Sequence, residues 1–299
     1  MAFNDWDEVR TAFQVARLGT VSGAAGALGV HHATVIRHID SLEGKLGTKL
    51  FQRHARGYTP TEAGQDLLTV AQSTDDQLAQ LANRIRGRGN EVTGELIITS
   101  LAVLADLLSP ALAAFREEHP DLVIKFLTDE RLFRLEYGEA HVAIRAGNPP
   151  DQPDNVVQKF YLQGFALYAS KEYIARHGHP ERLDDVGDHI FIGSAEDTPR
   201  APFFAWMKKH IPSKNIGFQV NQITAARPAL RAGLGIGFST TWAEKDRDDM
   251  VMVFPPRAEW NSQLWLVTHV DLHRTAKVQT FVSFLKDWSS RWPPLDGTG

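Results

Sequence analysis

Between residues 67 and 85, Leu67, Ala71, Thr74, Leu78, Leu81 and Ile85 recur at spacings of four, three, four, three and four, the seam of a coiled coil over about three heptads. Asp75, Asp76, Gln77, Gln80 and Asn83 fall off that seam. A helix over 61–88 with so narrow a stripe is marginal by itself in water, because nothing of its own covers the apolar row. The spacing therefore predicts self-association as a homodimer or homotetramer. Glycines on both sides of a charge in Gly87-Arg88-Gly89-Asn90 stop the helix and predict a hinge. The 299-residue chain is thereby split into a short part, a connecting helix and a long part, in line with two domains of ordinary size.

The short part carries the positive charge. Arg10, Arg17, Arg37, Lys45, Lys49, Arg53 and Arg56 face Asp5, Asp7, Glu8, Asp40 and Glu43 over residues 1–60, and three of those acids precede residue 9. His31, His32, His38 and His54 are interleaved in the basic stretch. The whole chain is net −4, so any nucleic-acid contact must be made by this local patch. Trp6, Val9, Phe13 and Ala16 share one face of a helix that starts near Asp5 and ends at Gly19. Ala24, Ala25, Leu28 and Val30 belong to a second, small-residue helix. Val35, Ile39, Leu42 and Leu46 give the buried side of a third, capped by Gly47. On the other side Thr34, Arg37, His38 and Ser41 are expected to point outward, as a helix entering a major groove requires. Two short extended runs around Gly57 then predict a wing, whose Arg53 and Arg56 would reach phosphates or a narrow minor groove.

The long part reads as alternating strands and helices. Residues 95–99, 122–127 and 142–145 are strands, separated by helices at 103–118 and from Arg131 to Gly138, an order that implies a parallel sheet. Further strands are expected at 156–161, 164–169, 189–192, 216–220, 235–239, 251–254 and 263–269, and helices at 171–177, 200–210, 224–232 and 275–291. The absence of cysteine excludes a disulfide framework, a thiolate metal site and a Cys nucleophile. No run approaches the roughly 18 apolar residues of a membrane span, and acids at 5, 7 and 8 occupy the place of a signal peptide's basic start, which predicts a cytoplasmic protein with no membrane partner.

Residues 24–64, AAGALGVHHATVIRHIDSLEGKLGTKLFQRHARGYTPTEAG, resemble the amino-terminal signature of LysR-type transcriptional regulators, with Ala25, Leu28, Val35, Ile39, Leu42, Glu43, Leu46, Gly47, Leu50, Phe51, Arg53, Arg56, Thr61, Ala63 and Gly64 at matching positions. AHVAIRAG at 140–147, LYASKEYIARHG at 167–178 and ALRAGLGIGF at 229–238 are similar to stretches of that family's effector domain. The resemblance implies an α/β chain built as a winged helix-turn-helix (1–60), a long linker and dimerisation helix with hinge (61–92), and a two-lobed α/β effector domain like a periplasmic binding protein (93–299). Lobe I is expected at 93–163 and 270–292, and lobe II at 164–269. The implied partners are double-stranded DNA, a small organic effector, a second copy of the chain and RNA polymerase. The family usually opens the recognition helix with Ser-Gln and has Ser at the place of Ile36. Here His31 and His32 open it and Ala33 and Thr34 follow, so a family operator does not transfer directly.

The DNA-contacting set is therefore expected to be His31, His32, Ala33, Thr34, Arg37, His38, Arg53 and Arg56. For the effector, a ligand of an open parallel sheet sits beyond the carboxyl ends of its strands, which points to Ser100, Leu101, Thr128 and Arg145, with Ser194, Phe203 and Thr224 from the facing lobe. Ser100 at a helix start favours an anionic group. The plainer readings are capping for Ser100 and Thr128, a salt bridge for Arg145 and core or loop duty for the others. His177 and His179 form a His-x-His pair before Pro180 with no matched ligands nearby, so no metal is expected. Gly233, Gly235 and Gly237 follow a helix and enter a strand, the reverse of a nucleotide-binding turn, and no nucleophile, zinc or phosphate-loop motif is present. No enzymatic activity and no cofactor are expected. The competing class is an α/β ligand-binding protein or enzyme with a non-specific DNA-binding appendage; a purely architectural DNA protein is a third.

Overall fold

A computed structural model describes residues 5–54, 57–85, 92–128, 133–183, 187, 189–197 and 199–293. They fall into two compact units, one of residues 1–91 with 133–140, the other of 92–132 with 141–299.

In the first unit α1 (Trp6–Leu18) begins where the Asp5 carboxylate accepts from the Asp7 amide and ends at Gly19 in the left-handed conformation, φ 71°. The turn into α2 (Val21–Leu28) is capped by the Thr20 hydroxyl, which accepts from Gly23 N–H. Gly29 then turns the chain into α3 (His32–Leu46). The three helices close on Ala12, Val15, Ala24, Ala25, Val35, Ile39 and Leu42, with Leu50 and Phe51 completing the core. Strands β1 (Phe51–His54) and β2 (Gly57–Pro60) pair antiparallel as the expected wing. Its turn, and with it Arg56, lies outside the described residues, as does the hinge at 87–90. The Tyr58 amide donates to Gly19 O at 2.8 Å and fixes the wing to the end of α1. Helix α4 (Glu62–Ile85) follows, and its Gly64 sits so close to the Leu50 carbonyl that a Cβ there would lie 2.0 Å from the oxygen.

Trp6 departs from the expected face of α1. Buried positions are Glu8, Thr11, Ala12, Phe13 and Val15, while Trp6 is 66% exposed. The segment expected to be a helix from Arg131 to Gly138 contains a single 3-10 turn, Leu135–Tyr137, closed by Gly138; Arg131 lies outside the described residues.

The second unit holds two five-stranded sheets, each with its own core. The first lobe contains β3 (Gly94–Ser100), α5 (Ala105–Glu118), β4 (Leu122–Thr128), β5 (Val142–Ala146) and β6 (Asn155–Gln163). At Gly164 the chain crosses to the second lobe: β7 (Phe165–Ser170), α6 (Lys171–His177), β8 (Phe191–Ser194), α7 (Pro202–His210), β9 (Ile216–Val220), α8 (Ile223–Arg231), β10 (Ile236–Thr240), α9 (Thr241–Glu244) and β11 (Met250–Phe254). It returns through β12 (Ser262–His269), α10 (Val270–His273) and α11 (Ala276–Ser289). Strand orders are β4-β3-β5-β12-β6 and β11-β7-β10-β8-β9.

Two expectations need correction. The strand at 263–269 is expected in lobe II, yet β12 pairs with β5 and β6 of lobe I, so the second crossing comes before Ser262. The sheets are also mixed: β3 runs parallel to β4 and β5, but β12 is antiparallel to both its neighbours and β7 is antiparallel to β10 and β11. Two crossings between lobes are the cause. A strand that enters a sheet from the other lobe has no crossover helix to bring it back parallel. Among the described residues no helix is long and apolar enough to cross a membrane.

Candidate nucleic-acid interface and effector cleft

Helix α3 starts at His31, whose Nδ1 accepts from the Ala33 amide at 3.3 Å. That nitrogen is then unprotonated in the neutral ring, and Nε2–H is the donor left to face outward. His31, His32, Ala33, Ile36, Arg37 and Asp40 are exposed; Thr34 and His38 are half-buried. The outward face is therefore His32, Ala33, Ile36, Arg37 and Asp40, and not the expected Thr34, Arg37, His38 and Ser41. Two bonds to α1 account for the difference. Ser41 Oγ donates to Glu8 Oε1 at 2.6 Å, and His38 Nδ1 lies 2.9 Å from Thr11 Oγ1. Because the Thr11 hydroxyl donates to Asp7 O at 2.6 Å, its oxygen must accept from His38. Hydrogen bonds from Lys45 and Ser41 hold the Glu8 carboxyl below its ordinary range.

Glu43 joins α3 to the wing. Its side chain is 2% exposed and accepts from the Leu50 amide at 3.0 Å, the Phe51 amide at 3.3 Å, Lys49 Nζ at 2.6 Å and Arg53 Nη2 at 3.0 Å. Burial alone would push this carboxyl up; the hydrogen bonds from Lys49 and the two amides outweigh it and hold it below 4.5. Arg53 also pairs with Asp40 at 2.5 Å. The wing arginine expected to reach phosphate is thus held by two carboxylates of α3, although its pairing also answers the one acid on the outward face.

Along α4 the seam is divided. Leu67 packs against the helical core and Ala71 is buried, whereas Leu78 is 58% and Leu81 43% exposed. With Trp6, Val9 and Val70 they belong to an open apolar face; all of these but Leu81, together with the buried Phe13, line a groove of about 770 Å³ between α1 and α4. The sequence pattern did not mark Trp6 or the 54% exposed Val70 for this groove, since neither lies on the heptad row.

In the second unit, Ser100 and Thr128 end two parallel strands in register. Ser100 is fully buried and its Oγ has no hydrogen-bond partner among the described residues; Thr128 is exposed. Leu101 packs partly on the lobe I core, and Arg145 is half-buried on β5 opposite Trp265. Ser194 accepts from the Glu196 amide at 3.1 Å, which is a local cap, and Thr224 is exposed in the first turn of α8. Phe203 is a core residue: it is 3% exposed and stacked on Phe165 with centroids 4.0 Å apart, so no face of it is left for a ligand. Missed from sequence were Thr99, Gln163 and Thr240, each at most 1% exposed with a polar side-chain atom that has no partner among the described residues. Gln163 and Thr240 end β6 and β10 where the lobes join, for the Thr241 amide donates to Gly164 O there, and Thr99 precedes Ser100, the last residue of β3. A buried polar atom without a partner costs about 1–3 kcal/mol, so these positions are suited to a ligand that supplies the missing bonds. Arg227 of α8 reaches Asp106 of α5 at 2.8 Å and ties the lobes across the cleft; with Asp106 largely exposed, the pair is worth at most about 1 kcal/mol.

His177 stacks on Tyr173, and His179 Nδ1 contacts Pro180 O. At Gly235 a Cβ would lie 2.5 Å from Ile190 O, so the glycine run serves close packing of the α8–β10 turn.

Residues 6–65 match the family model "Bacterial regulatory helix-turn-helix protein, lysR family", and residues 89–290 match "LysR substrate binding domain". Among curated proteins, the HTH-type transcriptional regulator CrgA of Neisseria meningitidis serogroup B is 28% identical over 191 residues, 64% of this chain and 64% of that protein. The chain thus aligns with just under two thirds of CrgA's length. The regulator DmlR of Escherichia coli K12 is 26% identical over 297 residues, 96% of this chain and 95% of the relative. Of solved structures, CrgA from Neisseria meningitidis superposes with a TM-score of 0.57 at 23% identity, covering 95% of this chain and 99% of the other. A full-length OxyR variant from Pseudomonas aeruginosa gives 0.69 at 16% identity, covering 95% and 93%. At these identities the structural likeness is one of fold.

Proposed function

The chain belongs to the LysR family of bacterial helix-turn-helix regulators, and from that premise we propose that it is a sequence-specific transcriptional regulator that works as a dimer or tetramer. The exposed face of α3 reads bases in the major groove, with His31, His32, Ala33 and Arg37 on it and Thr34 beside it. The observation that carries this reading is Arg37: it is exposed in the middle of that face, and no salt bridge is found for it among the described residues. A bidentate arginine to guanine discriminates against the wrong base by about 1–3 kcal/mol. Arg37→Ala is therefore expected to reduce the ratio of operator to random-duplex affinity by roughly ten- to a hundred-fold in titrations at fixed salt. Equal weakening on both duplexes would favour the non-specific appendage instead.

The effector site lies where the lobes meet, with Ser100 and Thr128 at the strand ends and Leu101 and Arg145 near them. Ser194 and Thr224 are the contributions of the second lobe. The unpartnered Ser100 hydroxyl supports this, since a bound acceptor or donor would relieve it. A ligand shifts the assembly only by its difference in affinity between two arrangements, which is then read as DNA bending or contact with RNA polymerase. A metabolite present at 100 times its Kd should stabilise the chain by about 2.7 kcal/mol in thermal-shift assays. Ser100→Ala should weaken that ligand by about three- to ten-fold, the worth of one net hydrogen bond, without lowering the melting temperature of the free protein. Unchanged affinity would move the site elsewhere.

A further inference from the structure

Ile36 is 38% exposed in the middle of the outward face of α3. Its neighbours one turn away on the same row are His32 and Asp40, and the adjoining row holds Ala33 and Arg37, all exposed. Every apolar residue that this helix needs for its own packing is accounted for elsewhere, by Val35, Ile39 and Leu42 in the core. Asp40 is paired with Arg53, so the acid nearest to Ile36 presents no unanswered charge to a phosphate backbone. What remains is a β-branched hydrocarbon beside a methyl from Ala33 and a guanidinium from Arg37.

Resting on the reading of α3 as the base-reading helix, we propose that Ile36 is a specificity-determining residue that selects thymine by its C5-methyl group. In the major groove only thymine offers an apolar group, and apolar side chains recognise it. A side chain without donors or acceptors at this place also penalises the other bases, because it covers their N4, N6 or O6 groups without replacing the lost water bonds. The half-site therefore contains a required thymine in the base steps adjoining the guanine read by Arg37.

The test begins with the full-length protein and a random-sequence duplex pool, from which the parent's consensus site is selected. Each thymine of that site is then replaced singly by deoxyuridine, which deletes one methyl and leaves every hydrogen-bonding group in place. One thymine per half-site should lose about three- to five-fold in affinity, the worth of one methyl group removed from water. The same replacement should change binding by Ile36→Ala less than two-fold, and selection with Ile36→Ser should relax the preference for thymine at that position alone. Ile36 is exposed, so both variants should keep the parent's melting temperature; if Ile36→Ala melts lower, the deoxyuridine series on the parent decides by itself. A consensus whose thymines all tolerate uracil, or a methyl effect that persists in Ile36→Ala, overturns the inference while leaving sequence-specific reading intact. A pool that yields no consensus overturns the reading of α3 itself and this inference with it.

Discussion

Glu43→Ala is expected to destabilise the DNA-binding unit by about 3 kcal/mol, because two buried amides, those of Leu50 and Phe51, lose their acceptor at about 1–3 kcal/mol each. The cations add little. Lys49 is 69% and Arg53 35% exposed, so their freed charges are solvated and screened. In calorimetry of the full-length chain the transition of this unit should fall by roughly 10–20 °C. Glu43→Gln keeps one carbonyl acceptor for the amides and should cost about 1 kcal/mol, the scale of a single net hydrogen bond. A similar loss in both variants would show that charge, not the amide bonds, holds the wing. The carboxyl titrates below its ordinary value in the folded state, so its contribution is present above pH 4.5 and is lost as pH falls through the lower folded value. The Gln variant should accordingly show a flatter stability profile than the parent below pH 4.5.

Leu78→Glu should turn the assembled protein into monomers at micromolar concentration. The side chain is 58% exposed in the apolar groove between α1 and α4, and in a two-fold symmetric contact one substitution counts twice. Truncating a central apolar contact costs about 2 kcal/mol per copy, so about 4 kcal/mol and roughly a thousand-fold in the dissociation constant is the expected scale. Sedimentation velocity reads the change directly. Gln77→Glu adds the same charge at an exposed position off the seam and should leave the mass unchanged. A Leu78→Glu protein that stays assembled would place self-association on another surface. The monomer should also lose tight operator binding, since only one half-site is engaged at a time.

Local structure was legible in the sequence wherever one segment fixes it alone. The spacing from Leu67 to Leu81 called for a long helix, and α4 spans it. His31 and Gly47 bound α3 as expected, and 171–177 and 216–220 are the helix and strand that their spacing predicts. These features follow from side-chain periodicity and from capping, which act over a few residues. The family signature at 24–64 agrees with the wing that the extended runs around Gly57 predict, and the likenesses at 140–147, 167–178 and 229–238 add the two-lobed domain, which periodicity does not specify.

What depended on distant partners was not legible. The outward face of α3 is turned from the expected one because Thr11 and Glu8 capture His38 and Ser41 from 27 and 33 residues away. At about 100° per residue a one-position error in phase exchanges a reading side chain for a packing one. Arg53 carried the composition of a phosphate contact, yet Asp40 and Glu43 claim it. Phe203 had the look of a lining residue and is stacked in the core, and β12 joined the sheet on the far side of a lobe crossing. By itself the sequence determined the kinds of elements, their limits and the confinement of positive charge to the amino-terminal segment. Tertiary structure alone decided which donors are already spent, which apolar groups stay uncovered and which strands are neighbours, because those outcomes depend on contacts between segments that no local spacing encodes.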